Sequence, residues 1–328
     1  MSLRWDPTCG VTALDARAQA LLELLHILDA EGYDFVTPTP TSHGRVLDRP
    51  WPLTADPLRR LLGWSAAVPE NEVRPRAVLR LLEAGGMLER EAGRVRSRVR
   101  ISRLHGLLFL HSAYPTTAAD AVFLGPDSYR FADFISRELS PRFTGEAIDL
   151  GGGCGVGAIV AARRAPGCSV VISDVNPRAL DLARINAGHA KVNVRTLQAD
   201  GLDAEGPAVD LIMSNPPYMA HEGPIYSTGG AMTGGQLSLD WARAALRRLK
   251  PGGGLLLYTG TAIACGGEDR LRAALERLCA EHGAALDYRE IDPDVFGEEL
   301  ETEPYAQVER IAAVTCVITA PGAGRGAS

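Results

Sequence analysis

Hydrophobic positions along this 328-residue chain change their period near residue 145. In the first part the intervals are mostly helical. In LDARAQALLELLHILDA, residues 14–30, Leu14, Ala18, Leu21, Leu22, Leu25 and Leu28 recur every three or four positions with Gly32 just beyond, which predicts an amphipathic helix. Residues 33–52 carry Pro38, Pro40, Pro50 and Pro52 among Thr, Ser and Gly and predict a connection. Two short helices are predicted next. One covers 56–62, with Asp56 as cap and Pro57 in its first turn; the other covers 75–84 and stops at Gly85-Gly86. Beyond them, Arg94, Arg96, Arg98 and Arg100 alternate with Val95, Ser97 and Val99, the period of a strand that would put all four arginines on one face.

From residue 145 strand-like runs alternate with helical ones. EAIDLGG, SVVISDV, VNVRTLQAD, VDLIMSN and GGLLLYTG read as strands, and GAIVAARRA, PRALDLARINAG, SLDWARAALRRL and DRLRAALERLCAEHG as the helices between them. ALDYREIDPD and RIAAVTCVIT supply two more strands, expected as an antiparallel edge pair. The pattern predicts an α/β fold: a Rossmann-like, mostly parallel seven-stranded sheet with helices on both faces. The helices and basic hairpin of the first 110 residues resemble a winged helix. The expected organisation is an N-terminal substrate-recognition domain over 1–110, a linker over 111–144, a catalytic domain over 145–320 and a disordered Gly/Ala tail over 321–328.

Charge and cysteine content narrow the function. The net charge of −6 argues against non-specific coating of nucleic acid, yet residues 1–110 carry fifteen arginines against thirteen acids, about +2, leaving about −8 for the rest. The arginine face is therefore either a solvated surface, a partner for acids of the large domain, or a docking surface. Cys9, Cys154, Cys168, Cys265, Cys279 and Cys316 include no C-x-x-C pair, so neither a zinc site nor a disulfide framework is expected. The acidic stretch 290–303 lacks regular ligand spacing and reads as a solvated loop, and no metal is expected. No apolar run approaches the roughly 18 residues of a membrane helix. With no basic stretch leading into an apolar h-region, a cytoplasmic protein without membrane partners is expected.

Chemistry concentrates at the ends of the predicted strands. DLGGGCGVG, starting at Asp149, turns from the first strand into the first helix, and Gly151, Gly153 and Gly155 leave no side chains inside that turn, so a ligand can reach the backbone and the helix N-terminus. The same glycines fit G-x-G-x-x-A, which keeps an NAD-dependent dehydrogenase open. Asp174 ends the second strand, where a carboxylate can accept both ribose hydroxyls or cap the following helix. Asp200 ends the third strand, placed to accept from an adenine amino group with Gly201 leaving space for the ring, though Asp-Gly is also an ordinary turn. SNPPYM ends the fourth. The prolines cannot donate but keep their carbonyls, so Asn215 and Pro216 can present two rigid acceptors to an –NH2 group, with Pro217 stiffening the turn and Tyr218 walling a flat substrate.

DLGGGCGVGAI, DVNPRALDLARINA, LQAD and SNPPYM, in this order and spacing, resemble class I S-adenosylmethionine-dependent methyltransferases of the N-methylating NPPY branch. Within that branch the chain is most similar to the HemK-like release factor glutamine methyltransferases, over residues 121–320. The resemblance implies S-adenosylmethionine as cofactor, with Asp149 and the glycines at its methionine end, Asp174 at the ribose, Asp200 at the adenine, and Asn215 to Tyr218 at the acceptor nitrogen. It also implies that Tyr129 and Phe131, in VFLGPDSYRFADFI, close over the cofactor, although as core aromatics of a linking helix they fit equally well. The implied acceptor is a glutamine of a translation factor. The alternative is a base amino group in rRNA, tRNA or DNA, which the Arg94 to Arg103 region favours.

Overall fold

A computed structural model describes residues 14–51, 55–202, 206–220 and 229–323. Helix α1 (Ala16–Ala30) forms as its periodicity requires, and the Asp15 carboxylate caps it by accepting from the Ala18 amide at 2.8 Å. Residues 33–52 depart from expectation, because they contain helix α2 (Pro40–Leu47). Pro40 sits at the first helical position, where no amide partner is needed, and Thr39 accepts from Ser42; a proline read as a breaker begins a helix here. The second predicted helix is a short turn centred on a π-helical stretch, Arg59–Gly63, with the Asp56 carboxylate accepting from Leu58 at 3.0 Å.

Strand β1 (Val68–Pro69), helix α3 (Arg76–Ala84) and strands β2 (Leu88–Glu91) and β3 (Arg94–Ser97) follow, in an antiparallel sheet ordered β1-β3-β2. The single arginine face is not formed. Arg94, Arg96 and Arg98 are exposed, but β3 ends at Ser97, whose hydroxyl donates to the Val99 carbonyl at 2.7 Å and accepts from the Val99 amide. That turn starts a second hairpin, β4 (Val99–Leu104) with β5 (Leu107–Ser112), which carries Arg100 inward to 1% exposure. There its Nε donates to the Ser112 carbonyl at 3.1 Å.

Helix α4 (Pro126–Glu138) leads into the large sheet. Its strands are β6 (Glu146–Leu150), β7 (Ser169–Asp174), β8 (Val194–Gln198), β9 (Val209–Ser214), β10 (Leu249–Ala264), the short β11 (Glu268–Asp269), β12 (Ala285–Asp292) and β13 (Val308–Thr319). The order is β12-β13-β10-β9-β6-β7-β8, with β11 paired off the path to β10. The pairs from β8 to β10 are parallel, while β13 runs antiparallel between β10 and β12. Seven strands on one path, mostly parallel, are what the alternating pattern predicts. Strand order reverses at β6, so the crevice of the sheet opens where β6 and its neighbours end.

Helices α5 (Val156–Arg164), α6 (Pro177–Ala190), α7 (Gln236–Arg248) and α8 (Arg270–His282) cover the sheet. Two apolar clusters form. One holds Leu239 and Ala242 of α7 with Leu271 and Leu275 of α8 against the sheet. The other joins Phe131 of α4, Ala158 of α5 and Leu180 of α6 to Leu21, Leu25 and Leu28 of α1 and to Val78 and Leu82 of α3, so the N-terminal elements share the core of the large sheet. Among the described residues no helix is long and apolar enough to cross a membrane. The expected tail lies, for residues 324–328, outside the described residues.

Asn186 joins the two parts. It is 1% exposed, its side-chain oxygen accepts from the Leu110 amide at 2.8 Å, and its amide nitrogen donates to the Leu110 and Cys154 carbonyls, each at 3.0 Å. One side chain thus ties β5 to the turn after β6. Replacing it by leucine leaves buried backbone groups unpartnered. Asn186→Leu is expected to lower unfolding free energy by about 2–3 kcal/mol, measured by urea denaturation; an unchanged midpoint would refute the tie.

Candidate active site

The carboxyl ends of β6, β7 and β9 lie level, with Leu150 opposite both Ser173 and Ser214. The Ser214 hydroxyl donates to the Leu150 carbonyl at 3.0 Å, and the Gly151 and Gly152 amides donate to the Ser173 carbonyl at 2.8 and 3.1 Å. The glycine turn is therefore pinned on both sides before it enters α5. Its three expected glycines do different things. At Gly153 (φ +53°) an added Cβ would meet nothing within 4 Å, so this position borders open space. At Gly155 (φ +88°) a Cβ would press on Ala183, Ile172 and Ile159, so that glycine serves helix packing rather than an approaching ligand. At Gly151 (φ +67°) a Cβ would fall 2.7 Å from the ring of Trp241.

Asp149 is not at the surface of the crevice. It is 1% exposed beneath the turn, with its carboxylate accepting from the Ala158 amide at 2.7 Å in the first turn of α5. Burial pushes its pKa up to about 7, against the pull of the Ala158 amide and with help from the Asp174 charge. Asp174 is half-buried, and burial also raises its pKa. Its oxygens accept from the Asn176 amide at 2.8 Å and the Gly153 amide at 2.9 Å. The cap of α6 is Asn176, whose side chain accepts from Arg178. The Val175 amide also interacts with this carboxylate, which with about four acceptor sites keeps capacity for a hydroxyl. Asp200 is exposed and accepts no hydrogen bond from any described residue, and Gly201 (φ +72°) holds a turn in which a Cβ would lie 3.7 Å from Trp241 Nε1.

Asn215 is half-buried, and among the described residues nothing hydrogen-bonds its side chain or the Pro216 carbonyl. Tyr218, by contrast, is anchored throughout. It is 7% exposed, its hydroxyl donates to Asp127 of α4 at 2.7 Å, and its ring meets Phe296 edge-on at 5.9 Å. Asp127 also accepts from Tyr258 of β10 at 2.6 Å and pairs with Arg130 at 3.3 Å. Burial raises the Tyr218 phenol well above its ordinary pKa, and the Asp127 charge adds to that, so it stays protonated as a donor. Glycines surround this tyrosine. A Cβ at Gly260 would stand 2.2 Å from its ring, one at Gly229 2.6 Å from its Cα, and one at Gly234 1.9 Å from its carbonyl oxygen.

Residues 127–277 match the family described as Methyltransferase small domain. Over 142 residues the chain is 32% identical to the release factor glutamine methyltransferase of Koribacter versatilis, covering 39% of this chain and 51% of that protein. It is 36% identical over 110 residues to ribosomal RNA small subunit methyltransferase C of Hahella chejuensis, covering 34% and 30%. The release factor glutamine methyltransferase of Deinococcus radiodurans is matched at 28% over 240 residues, covering 70% and 80%. The chain spans about half the length of the first of these relatives and less than a third of the second.

Within the matched residues three side chains escape sequence reasoning. Trp241 of α7 stands between Gly151 and Gly201, and Asp127 and Tyr258 hold Tyr218. A lone tryptophan on an amphipathic helix carries no signal of its own, and Asp127 reads as an ordinary first-turn acid. Tyr129 and Phe131 take the second of their two readings, as core aromatics of a linking helix. The Tyr129 hydroxyl accepts from the Thr37 amide at 3.1 Å and links α4 to the N-terminal part. Phe131 is buried against Gly157, under the turn. Tyr218 is likewise a buried post for its loop rather than a free wall.

Asp149 generates a pH prediction. Its folded pKa lies above the ordinary 3.8, so the unfolded chain gives up this proton first. The proton's contribution to stability is complete below about pH 4 and is lost as pH rises towards 7. Asp149→Asn cannot ionise, so its melting temperature relative to the parent should climb between pH 4 and 7 and level off above. Parallel melting profiles across that range would exclude a raised pKa. For the tyrosine socket, Gly260→Ala is expected to destabilise the domain by about 1–3 kcal/mol through overpacking, measured by denaturant unfolding.

Proposed function

We infer that the chain is an S-adenosylmethionine-dependent N-methyltransferase acting on a planar amide or amino nitrogen of a macromolecule. The observation that carries this reading is the pair of unengaged acceptors at Asn215 and Pro216, beside a glycine turn with open space at Gly153 and two carboxylates, Asp174 and Asp200, on the same sheet edge. The residues fit the cofactor. Gly153 leaves room for its methionine end, Asp174 accepts ribose hydroxyls, Asp200 and Gly201 receive the adenine amino group and ring, and Trp241 flanks both glycine positions as an aromatic side. Asp149 contributes from below by fixing the first turn of α5.

Bound S-adenosylmethionine supplies a methyl group on an electrophilic sulfonium. The Asn215 side-chain oxygen and the Pro216 carbonyl accept the two N–H bonds of the acceptor, which leaves the nitrogen lone pair free and aimed away from them. Nitrogen would gain positive charge as it takes the methyl carbon, whose bond to sulfur breaks to leave a neutral thioether, and both oxygens would then bind it more strongly than in the ground state. One of these protons is afterwards released to water, so no strong base is required. Pro216 and Pro217 hold φ fixed, and the Asp127–Tyr218 bond holds the following residue, which keeps the acceptors from relaxing.

A glutamine side chain of a translation factor fits this clamp, as the names of two relatives suggest, and so does a base amino group, as the third suggests. Asn215→Ala should reduce single-turnover methylation at least about 100-fold while leaving cofactor affinity, read by calorimetry, within a few-fold. Asp174→Ala should instead weaken cofactor binding by about 1.5–3 kcal/mol. If the chain binds NAD and not S-adenosylmethionine, it is a dehydrogenase and the reading is wrong.

A further inference from the structure

An open cleft of about 360 Å³ lies in the N-terminal part, lined by Arg60, Arg94 and Arg96 together with Trp51, Tyr114 and Leu47. Its make-up is selective. Three arginines line it, and none of the described residues that line it is acidic. Arg94 and Arg96 stand on the outer face of β3, the central strand of its sheet, while Val95 and Ser97 between them face the core. Arg94 is braced by donating to the Ala67 carbonyl, and no described residue pairs with Arg96. Arg60 lies with its guanidinium carbon 5.7 Å from the centre of the Trp51 ring, and its nearest carboxylate, on Glu72, is at 3.7 Å. Its Nε is buried with no hydrogen-bond partner, an orphaned donor at the cleft wall.

The two aromatic rings are preset. Trp51 packs on Trp64 at 5.9 Å, and Tyr114 stacks on the His43 ring at 4.2 Å, while the Tyr114 amide donates to the Ser65 hydroxyl at 2.9 Å. Burial holds the His43 pKa down at about 4, so at neutral pH this ring is an uncharged support. Flat aromatic faces beside arginine forks suit a base with its adjoining phosphate. The faces stack any unpaired base, and the forks match phosphate oxygens in pairs.

The position of the cleft links it to the candidate active site. Leu47, at one end of α2, lines the cleft, while Thr41, near the other end, donates to Glu298 at 2.7 Å. Glu298 belongs to the turn beside Phe296, the ring that packs against Tyr218. Thr41 and Leu47 are separated by about 9 Å of helix. A ligand that follows α2 from cleft to clamp is extended over that length, as a strand is and a mononucleotide is not.

We propose that this cleft is a subsite for an unpaired nucleotide of a single-stranded nucleic acid, stacked at Trp51 and Tyr114 with its phosphate on Arg60, Arg94 and Arg96. As a substrate assignment it rests on the N-methyltransferase reading; as a binding site it does not. It selects the base amino group over the glutamine as the acceptor.

The test is fluorescence anisotropy of the full chain with labelled 12-nucleotide RNA, the same sequence as DNA, and an RNA duplex, over a salt series. Both single strands should bind more tightly than the duplex, and the ratio of RNA to DNA identifies the source. Trp51→Ala should weaken binding roughly 5- to 150-fold, as expected for loss of one base stack. The double variant R94Q/R96Q should make the plot of log affinity against log salt shallower by about 1.4, two phosphate contacts on a single strand. Arg96→Glu, at an exposed position without a partner among the described residues, should also weaken binding, which keeps the test decisive if Trp51→Ala fails to fold. No strand binding, duplex binding as tight as single-strand binding, or unchanged affinity in Arg96→Glu overturns the proposal. So does methylation of a purified release factor at equal rates by parent and Arg96→Glu with no RNA methylated. Calorimetry with S-adenosylmethionine is run alongside: strand binding without cofactor binding would sink the enzyme reading and leave the subsite standing.

Discussion

The hydrogen bond from the Tyr218 hydroxyl to Asp127 is the constraint on which the arrangement of the sheet edge depends. A strand that ends in two prolines has lost the amides that would normally register its exit against a neighbour. The chain replaces that lost register with a side-chain anchor. Asp127 can serve only because α4 lies across the sheet edge, and Tyr258 and Arg130 keep its carboxylate in place. Glycines at 229, 234 and 260 then let backbone come close enough to enclose the ring. The consequence is a loop in which Tyr218 is immobile while Asn215 and Pro216, three and two residues earlier, remain unengaged.

The same division between anchoring and exposure runs through the glycine turn. Asp149 lies beneath it, bonded to the start of α5, and Asp174 reaches back to the Gly153 amide. Two carboxylates thus stiffen one turn, one from below and one from the neighbouring strand. Only Gly153 faces open space. The three glycines read as leaving the turn open to a ligand are a mixture of one open position and others required by packing against Trp241, Ala183 and Ile172.

The N-terminal elements are bound to this machinery rather than tethered beside it. Asn186 bonds at once to β5 and to Cys154, Tyr129 bonds to Thr37, and the apolar cluster passes from α1 into α6 without a break. Such a shared core fixes the position of the N-terminal elements relative to the sheet edge.

How much was legible depended on whether the information was periodic or spatial. Strand and helix alternation after residue 145, the turn residues at strand ends, and the proline-stiffened exit after β9 follow from local rules: period, backbone restriction by proline and glycine, and placement at the end of a parallel strand. These are properties of short segments, and the sequence by itself determined them. Pairings between distant residues carry no such mark. Whether Arg100 faced outward with its neighbours was decided by the Ser97 turn, which changes hairpins inside an unbroken alternation. That Tyr218 is a post, that Trp241 stands at the glycine turn, and that Trp51 and Tyr114 meet three arginines was decided by tertiary packing alone. A side chain's role there depends on which element lies opposite, and one-dimensional spacing does not encode that.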